Sequence, residues 1–171
     1  ANSTKSSDTK DILNVAKNRI LSIAYIQSLL NTEAENINLG EFIKEISEKI
    51  AQTLSSDNNL KFKQVYNIGN IEKYSNKNLS LIGLILNELI TNTHKYAFNE
   101  YSEKNTLTIS CKKNTDSIEI EISDNGKGYS KENIKNSSLG LELIREMVSQ
   151  LNAKLVTDST NGVSNKIIIS L

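Results

Sequence analysis

No proline interrupts the 171 residues, so every break in the chain must come from Gly, Asn, Asp and Ser. The single cysteine, Cys111, excludes an internal disulfide and any cysteine-based metal cluster. It lies in a strand-like run, where it reads as a buried, inert thiol. Charge of one sign is missing too: 20 Lys+Arg balance 20 Asp+Glu. There is therefore no global basic field to draw in nucleic acid or acidic lipid. No apolar run approaches the roughly 20 residues needed to span a bilayer, and the polar N-terminus carries no signal-peptide pattern. These absences predict a soluble, cytoplasmic chain without a membrane span or a nucleic-acid partner. Hydrophobic residues at 37% suffice for one globular domain with an appendage.

Periodicity divides the chain in two. Residues 1–9 are polar and expected to fray. Over 10–30, Ile12, Ala16, Ile20, Ile23, Ile26 and Leu30 recur at helical steps, and Leu13, Ala24 and Leu29 widen the stripe. That width predicts more than one packing partner. After a polar connector, Asn36 or Asn38 can cap a helix over 39–55 with Phe42, Ile43, Ile46 and Ile50 on one side. The polar run 55–59 closes this helical segment, 1–58. Residues 59–171 are mixed. Strands are expected at 60–68 and 71–74, then a helix over 79–98. The alternating runs 106–112 and 117–123 read as an antiparallel hairpin. A loop over 124–137 leads to a helix over 139–151 with Leu141, Ile144, Met147, Val148 and Leu151 inward. Strands at 153–158 and 166–171 flank a turn at Asn161-Gly162. Helices and antiparallel strands in segregated blocks predict an α+β protein, a two-layer α/β sandwich with helices on one face of the sheet.

Three stretches carry chemistry. The helix around LILNELITNTHKYAF puts Leu86, Leu89, Ile90, Thr93 and Ala97 on one face. Its opposite side carries Glu88, Asn92, Lys95 and Tyr96 at steps of three and four. A carboxylate, an amide and an ammonium along one stripe can serve a magnesium ion and a phosphate chain, because hard cations take oxygen ligands and lysine acts as a point charge on phosphate. A solvated helix face has the same spacing. The hairpin runs into Asp124-Asn125-Gly126-Lys127-Gly128, where glycines allow positive φ and close approach, and an aspartate can accept from an exocyclic amine. Taken alone, this is an ordinary turn. Ser137-Ser138-Leu139-Gly140-Leu141 runs straight into a helix, whose free N–H groups and dipole would face a phosphate, though a serine-capped helix reads the same way.

The order of the three stretches is more specific than any one of them. Over about 60–171 it resembles the ATP-binding domain shared by gyrase, Hsp90, histidine kinases and MutL, the GHKL superfamily with the Bergerat fold. NELITNTHKYAF looks like its N box, SDNGKG its first glycine box and SLGLELI its second. The resemblance implies ATP and Mg²⁺ as cofactors. It makes Asn92 the Mg²⁺ ligand, sets Lys95 near the phosphates and Tyr96 beside the nucleotide, and places Glu88 where hydrolysing members have a general base. Asp124 would hold the adenine amine in a pocket shaped by Gly126 and Gly128. Ser138, Leu139, Gly140 and Leu141 would meet the phosphates, under a lid formed by 129–137. Near Asn161-Gly162-Val163-Ser164 the family often has Gly-Thr. The threonine is absent here, and that turn stays outside the expected site.

Within the superfamily the wording is similar to sensor histidine kinases of the HWE-related branch. Asn18-Arg19-Ile20, Ser22-Ile23-Ala24 and Ile26-Gln27 resemble the branch's second dimerisation-and-phosphotransfer helix, with Gln27 where histidine is usual. This implies a homodimer through the N-terminal helices and a response regulator as partner. The phosphoaccepting histidine of such kinases lies upstream of this segment. The chain's only histidine, His94, stands roughly 200° round an α-helix from Asn92, so it is expected to be structural. The resemblance thus implies a fragment of a longer, and in full length membrane-tethered or cytoplasmic, histidine kinase that binds Mg·ATP without autophosphorylating alone. An anti-sigma-type serine/threonine kinase on the same fold generally lacks the helical segment. A non-enzymatic nucleotide-binding module would not need Glu88, Asn92, Lys95, Asp124 and Gly140 together.

Overall fold

The computed structural model describes residues 16–17, 20–29, 37–57, 60–71, 76–128 and 139–171. The expected strand at 71–74, the lid at 129–137 and Ser138 lie essentially outside them. Residues 20–29 form a helix, here α1. It is followed by α2 (Leu39–Asp57), β1 (Lys63–Ile68), α3 (Asn76–Asn92), a π-helical turn (Thr93–Ala97), β2 (Thr106–Lys113), β3 (Ser117–Asp124), α4 (Leu139–Gln150), β4 (Ala153–Asp158) and β5 (Val163–Ser170).

The five strands form one sheet in the order β1-β2-β3-β5-β4. β2 and β3 pair as the expected antiparallel hairpin, with Ile109 opposite Ile122 and Cys111 opposite Ile120. β5 pairs antiparallel with both β3 and β4. The exception to an all-antiparallel expectation is β1, which runs parallel to β2. The cause is the connection: α3 crosses over between the two strands, and a crossover returns the chain in the same direction.

Alternation then sorts the side chains. Leu107, Ile109, Cys111, Ile118, Ile120, Ile122, Ile167 and Ile169 are buried on one face. On the other, Glu119 pairs with Lys112 at 3.1 Å, and Glu121 accepts from Ser164 Oγ at 2.7 Å. The helices cover only the apolar face, which makes the expected two layers. Burial pushes the Cys111 thiol up to about 12, consistent with an inert core residue.

Asn38 caps α2, its Oδ1 accepting from Gly40 N at 2.9 Å and Glu41 N at 3.2 Å. Phe42, Ile43, Ile46, Ile50 and Leu54 of α2 are buried in the same core as Leu79, Ile82, Ile85, Leu86 and Ile90 of α3. The apolar surface of α1 divides. Ile26 is 1% exposed and presses on Gly83 of α3, where a Cβ would lie 2.9 Å from Ile26 Cδ1. Ile20 and Ile23 face away, at 66% and 43% exposure. The width of the stripe thus serves two directions, and only one is filled among the described residues.

His94 is buried edge-on to Phe62, with ring centroids 6.5 Å apart. Its Nδ1 has no hydrogen-bond partner among the described residues. Burial, then Lys61 and Lys95, lower its pKa from 6.5. The unfolded chain therefore takes up a proton more readily than the folded one, and stability should fall as the pH drops below 6.5. His94→Leu should flatten that part of a stability-versus-pH curve, and an unchanged slope would contradict a neutral buried imidazole. In urea unfolding, Asn38→Ala should cost about 1 kcal/mol. Ile43→Ala should cost about 2–5 kcal/mol within the same single transition, because its cavity opens in the shared core.

Candidate nucleotide site

Glu88 and Asn92 lie one turn apart on α3. Glu88 is buried, whereas Asn92 is half-buried at the helix end and makes no side-chain capping bond. The sequence predicts one α-helix through residue 98, but residues 93–97 form the wider π turn and Phe98 is already extended. Bonding there runs i to i+5, so the three- and four-residue steps that would align Lys95 and Tyr96 with Asn92 no longer hold. Lys95 and Tyr96 are both exposed on this turn. Contacts to the loop after β3 hold it: Ala97 O accepts from Lys127 N at 3.2 Å, and Gly126 lies so close that a Cβ would meet Ala97 O at 2.5 Å. Only glycine fits at 126 without displacing backbone.

Asp124 ends β3 and is 5% exposed. Its Oδ1 accepts from Gly126 N at 2.9 Å and Val163 N at 3.2 Å, and its Oδ2 accepts from Thr93 Oγ1 at 3.3 Å. Burial raises its pKa, and the bonds from Gly126, Val163 and Thr93 act the other way. A carboxylate offers about four acceptor positions, so three donors leave Oδ2 with capacity for another. That spare acceptor fits an exocyclic amine. Asn125 ties the loop to the sheet, accepting from Thr106 N and donating to Lys104 O, each at 2.8 Å. Gly128 has φ +64°.

Leu139 and Gly140 open α4, with Gly140 buried and Leu141 packed partly against the core. The first N–H groups of such a helix have no partner within it. α4 packs on α3 and β4. Glu88, Asn92 and Asp124 thus come to one end of the α3–sheet layer, while the link from Asp124 to α4 passes through 129–138, beyond the described residues. No group of three or more His, Cys, Asp or Glu suited to a metal occurs among the described residues. Asn92, half-buried at the helix end, offers the kind of single protein oxygen that a magnesium ion can take beside phosphate and water.

Three residues at the site were not expected there: Thr93, Gly162 and Val163. Thr93 is assigned by periodicity to the apolar face, and its hydroxyl turns out to be spent on Asp124. The Asn161-Gly162 turn lacks threonine, yet what it supplies is backbone: the N–H of Val163 and the close approach of Gly162. A Cβ on Gly162, at φ +82°, would lie 1.9 Å from Asp124 O. The paired glycine and strand start were the available signal.

A helix-backed mixed sheet with a buried, glycine-flanked aspartate at a strand end is the frame of a nucleotide-binding α+β sandwich. The chain belongs to the histidine kinase-, DNA gyrase B-, and HSP90-like ATPase family, whose model matches residues 78–171. A second model, described as histidine kinase, matches residues 1–54. The sensor histidine kinase PdtaS of Mycolicibacterium smegmatis is 25% identical over 154 residues, which cover 87% of this chain and 30% of that protein. The chain therefore spans under a third of that relative. Among solved structures, the histidine kinase domain of the Erythrobacter litoralis EL346 blue-light activated histidine kinase superposes with a TM-score of 0.74 at 18% identity, covering 92% of this chain and 75% of that one. The Acinetobacter baumannii histidine kinase AdeS gives 0.63 at 16% identity, with coverages of 98% and 83%. These superpositions establish the shared fold. Among the described residues, no helix is long and apolar enough to cross a membrane.

Gly162→Ala should cost about 1–3 kcal/mol in urea unfolding, because it strains the backbone against Asp124. Gly69→Ala is the control: its Cβ would sit in ordinary contact, 3.5 Å from Cys111 O. Its change should stay under about 1 kcal/mol. Equal costs would show that the turn is not pressed on Asp124.

Proposed function

We propose that this chain is the ATP-binding, phosphoryl-donating part of a two-component sensor histidine kinase. The observation that carries the reading is the Asp124 carboxylate: buried, held by Gly126, Val163 and Thr93, and left with a free acceptor position beside the end of the Asn92 helix. Asp124 takes the adenine amine, with Gly126 and Gly128 shaping the loop around the base. Asn92 supplies the amide oxygen to Mg²⁺, and Glu88 lies one turn behind it. When bound, the magnesium ion neutralises phosphate charge and orients the chain of phosphates. Lys95 contributes a point charge near the phosphates, and Tyr96 flanks the nucleotide. Ser138, Leu139, Gly140 and Leu141 meet the phosphates at the start of α4. Transfer of this kind asks mainly for positioning and charge neutralisation, which these groups supply.

The acceptor is a histidine outside the present chain, since His94 is buried against Phe62. An aspartate on a response regulator then takes the phosphoryl group. Residues 1–58 act as the dimerisation segment and 59–171 as the catalytic unit. The outward apolar residues Ile20, Leu21 and Ile23 support pairing of α1 with a second copy. A cytoplasmic location fits this relay.

Calorimetry should show saturable Mg·ATP binding, weakened at least about 10–100-fold in Asn92→Ala. With γ-labelled ATP the chain alone should acquire no label, and adding the acceptor helix should restore transfer. A cooperatively melting chain that fails to bind ATP would overturn the reading.

A further inference from the structure

Of the three groups that hold Asp124, two are backbone N–H groups, of Gly126 and Val163, which belong to the main chain. The third is a side chain, and it comes from the opposite layer. A threonine inside a helix commonly turns its hydroxyl back to the carbonyl four residues earlier. Thr93, first residue of the π turn, instead sends its proton across to Asp124 Oδ2 at 3.3 Å. Both residues are buried, Thr93 at 6% and Asp124 at 5% exposure, so water competes little for this bond.

We propose that Thr93 is a positioning residue for base recognition: its hydroxyl fixes the rotation of the Asp124 carboxylate and commits its only proton there, so that the site presents acceptors alone to the base. An exocyclic amine, as on adenine, finds a partner on Oδ2. A carbonyl at the same ring position, as on hypoxanthine, meets acceptor against acceptor. A single buried hydrogen bond left unmade in this way separates ligands by orders of magnitude. Thr93 therefore tunes which purine is accepted, and it does so from the helix that also carries Asn92. The inference rests on the nucleotide-binding reading above and adds to it a side chain of the π turn.

The test compares the affinities of ATP and inosine triphosphate for the unaltered chain, Thr93→Val and Thr93→Ser. Valine keeps the shape and removes the hydroxyl, and serine restores it. Thr93→Val should weaken ATP about tenfold while leaving inosine triphosphate nearly unchanged, so the ratio of the two falls about tenfold. Thr93→Ser should return most of the preference, which also guards against a folding defect in the valine variant. Loss of both nucleotides alike in Thr93→Val, or an unchanged ratio, overturns the proposal and leaves Thr93 a packing residue. An unaltered chain that binds both nucleotides equally would overturn the role of Asp124 itself, a separate failure seen before any variant is made.

Discussion

The carboxylate of Asp124 is the constraint on which the rest of the site depends. Burying a charge costs several kcal/mol unless hydrogen bonds replace the lost water. Here the replacements come from three separated segments: Gly126 in the loop after β3, Val163 at the start of β5, and Thr93 after α3. Satisfying one side chain therefore fixes the relative position of two strands and the central helix. The π turn belongs to the same arrangement, because Ala97 O is taken by Lys127 N and the turn lies flush against Gly126.

This also accounts for the contrast between the two ends of the sheet layer. Away from Asp124 the core is a plain interdigitation of isoleucines and leucines from α2, α3 and the inner sheet face. Many substitutions of similar volume would be tolerated there. Around Asp124 the tolerance is far lower, since glycine and a hydroxyl of fixed direction are needed within a few ångströms. The site is built where local rules of propensity are broken, and the hydrophobic core holds those departures in place.

Much of the frame was legible in the residues. The β2–β3 hairpin and the α4 stripe of Ile144, Val148 and Leu151 follow from period alone, and end chemistry narrowed the α2 cap to Asn36 or Asn38, of which the structure uses Asn38. The parallel pairing of β1 did not, because the direction of a strand depends on how its connection packs and not on its own sequence. The π turn was hidden for a similar reason: Thr93 to Ala97 fit a helical period well, and the turn's contacts are with a loop distant in sequence. Thr93 illustrates the limit most clearly. Its spacing marks a buried face correctly, but whether a buried hydroxyl bonds its own helix or a carboxylate 31 residues away is settled by tertiary contact.

The strand order carries a consequence for biosynthesis. β5 follows β4 in the chain but lies between β3 and β4. While the polypeptide emerges from the ribosome, β3 and β4 have an unfilled gap between them, and β4 has no strand to pair with until β5 is complete. Asp124 waits equally long for the Val163 N–H. Until then the growing chain exposes unpaired strand edges, the kind of surface that nascent-chain chaperones cover and that aggregation exploits. The recognition centre and the closed sheet are thus completed by the same late segment.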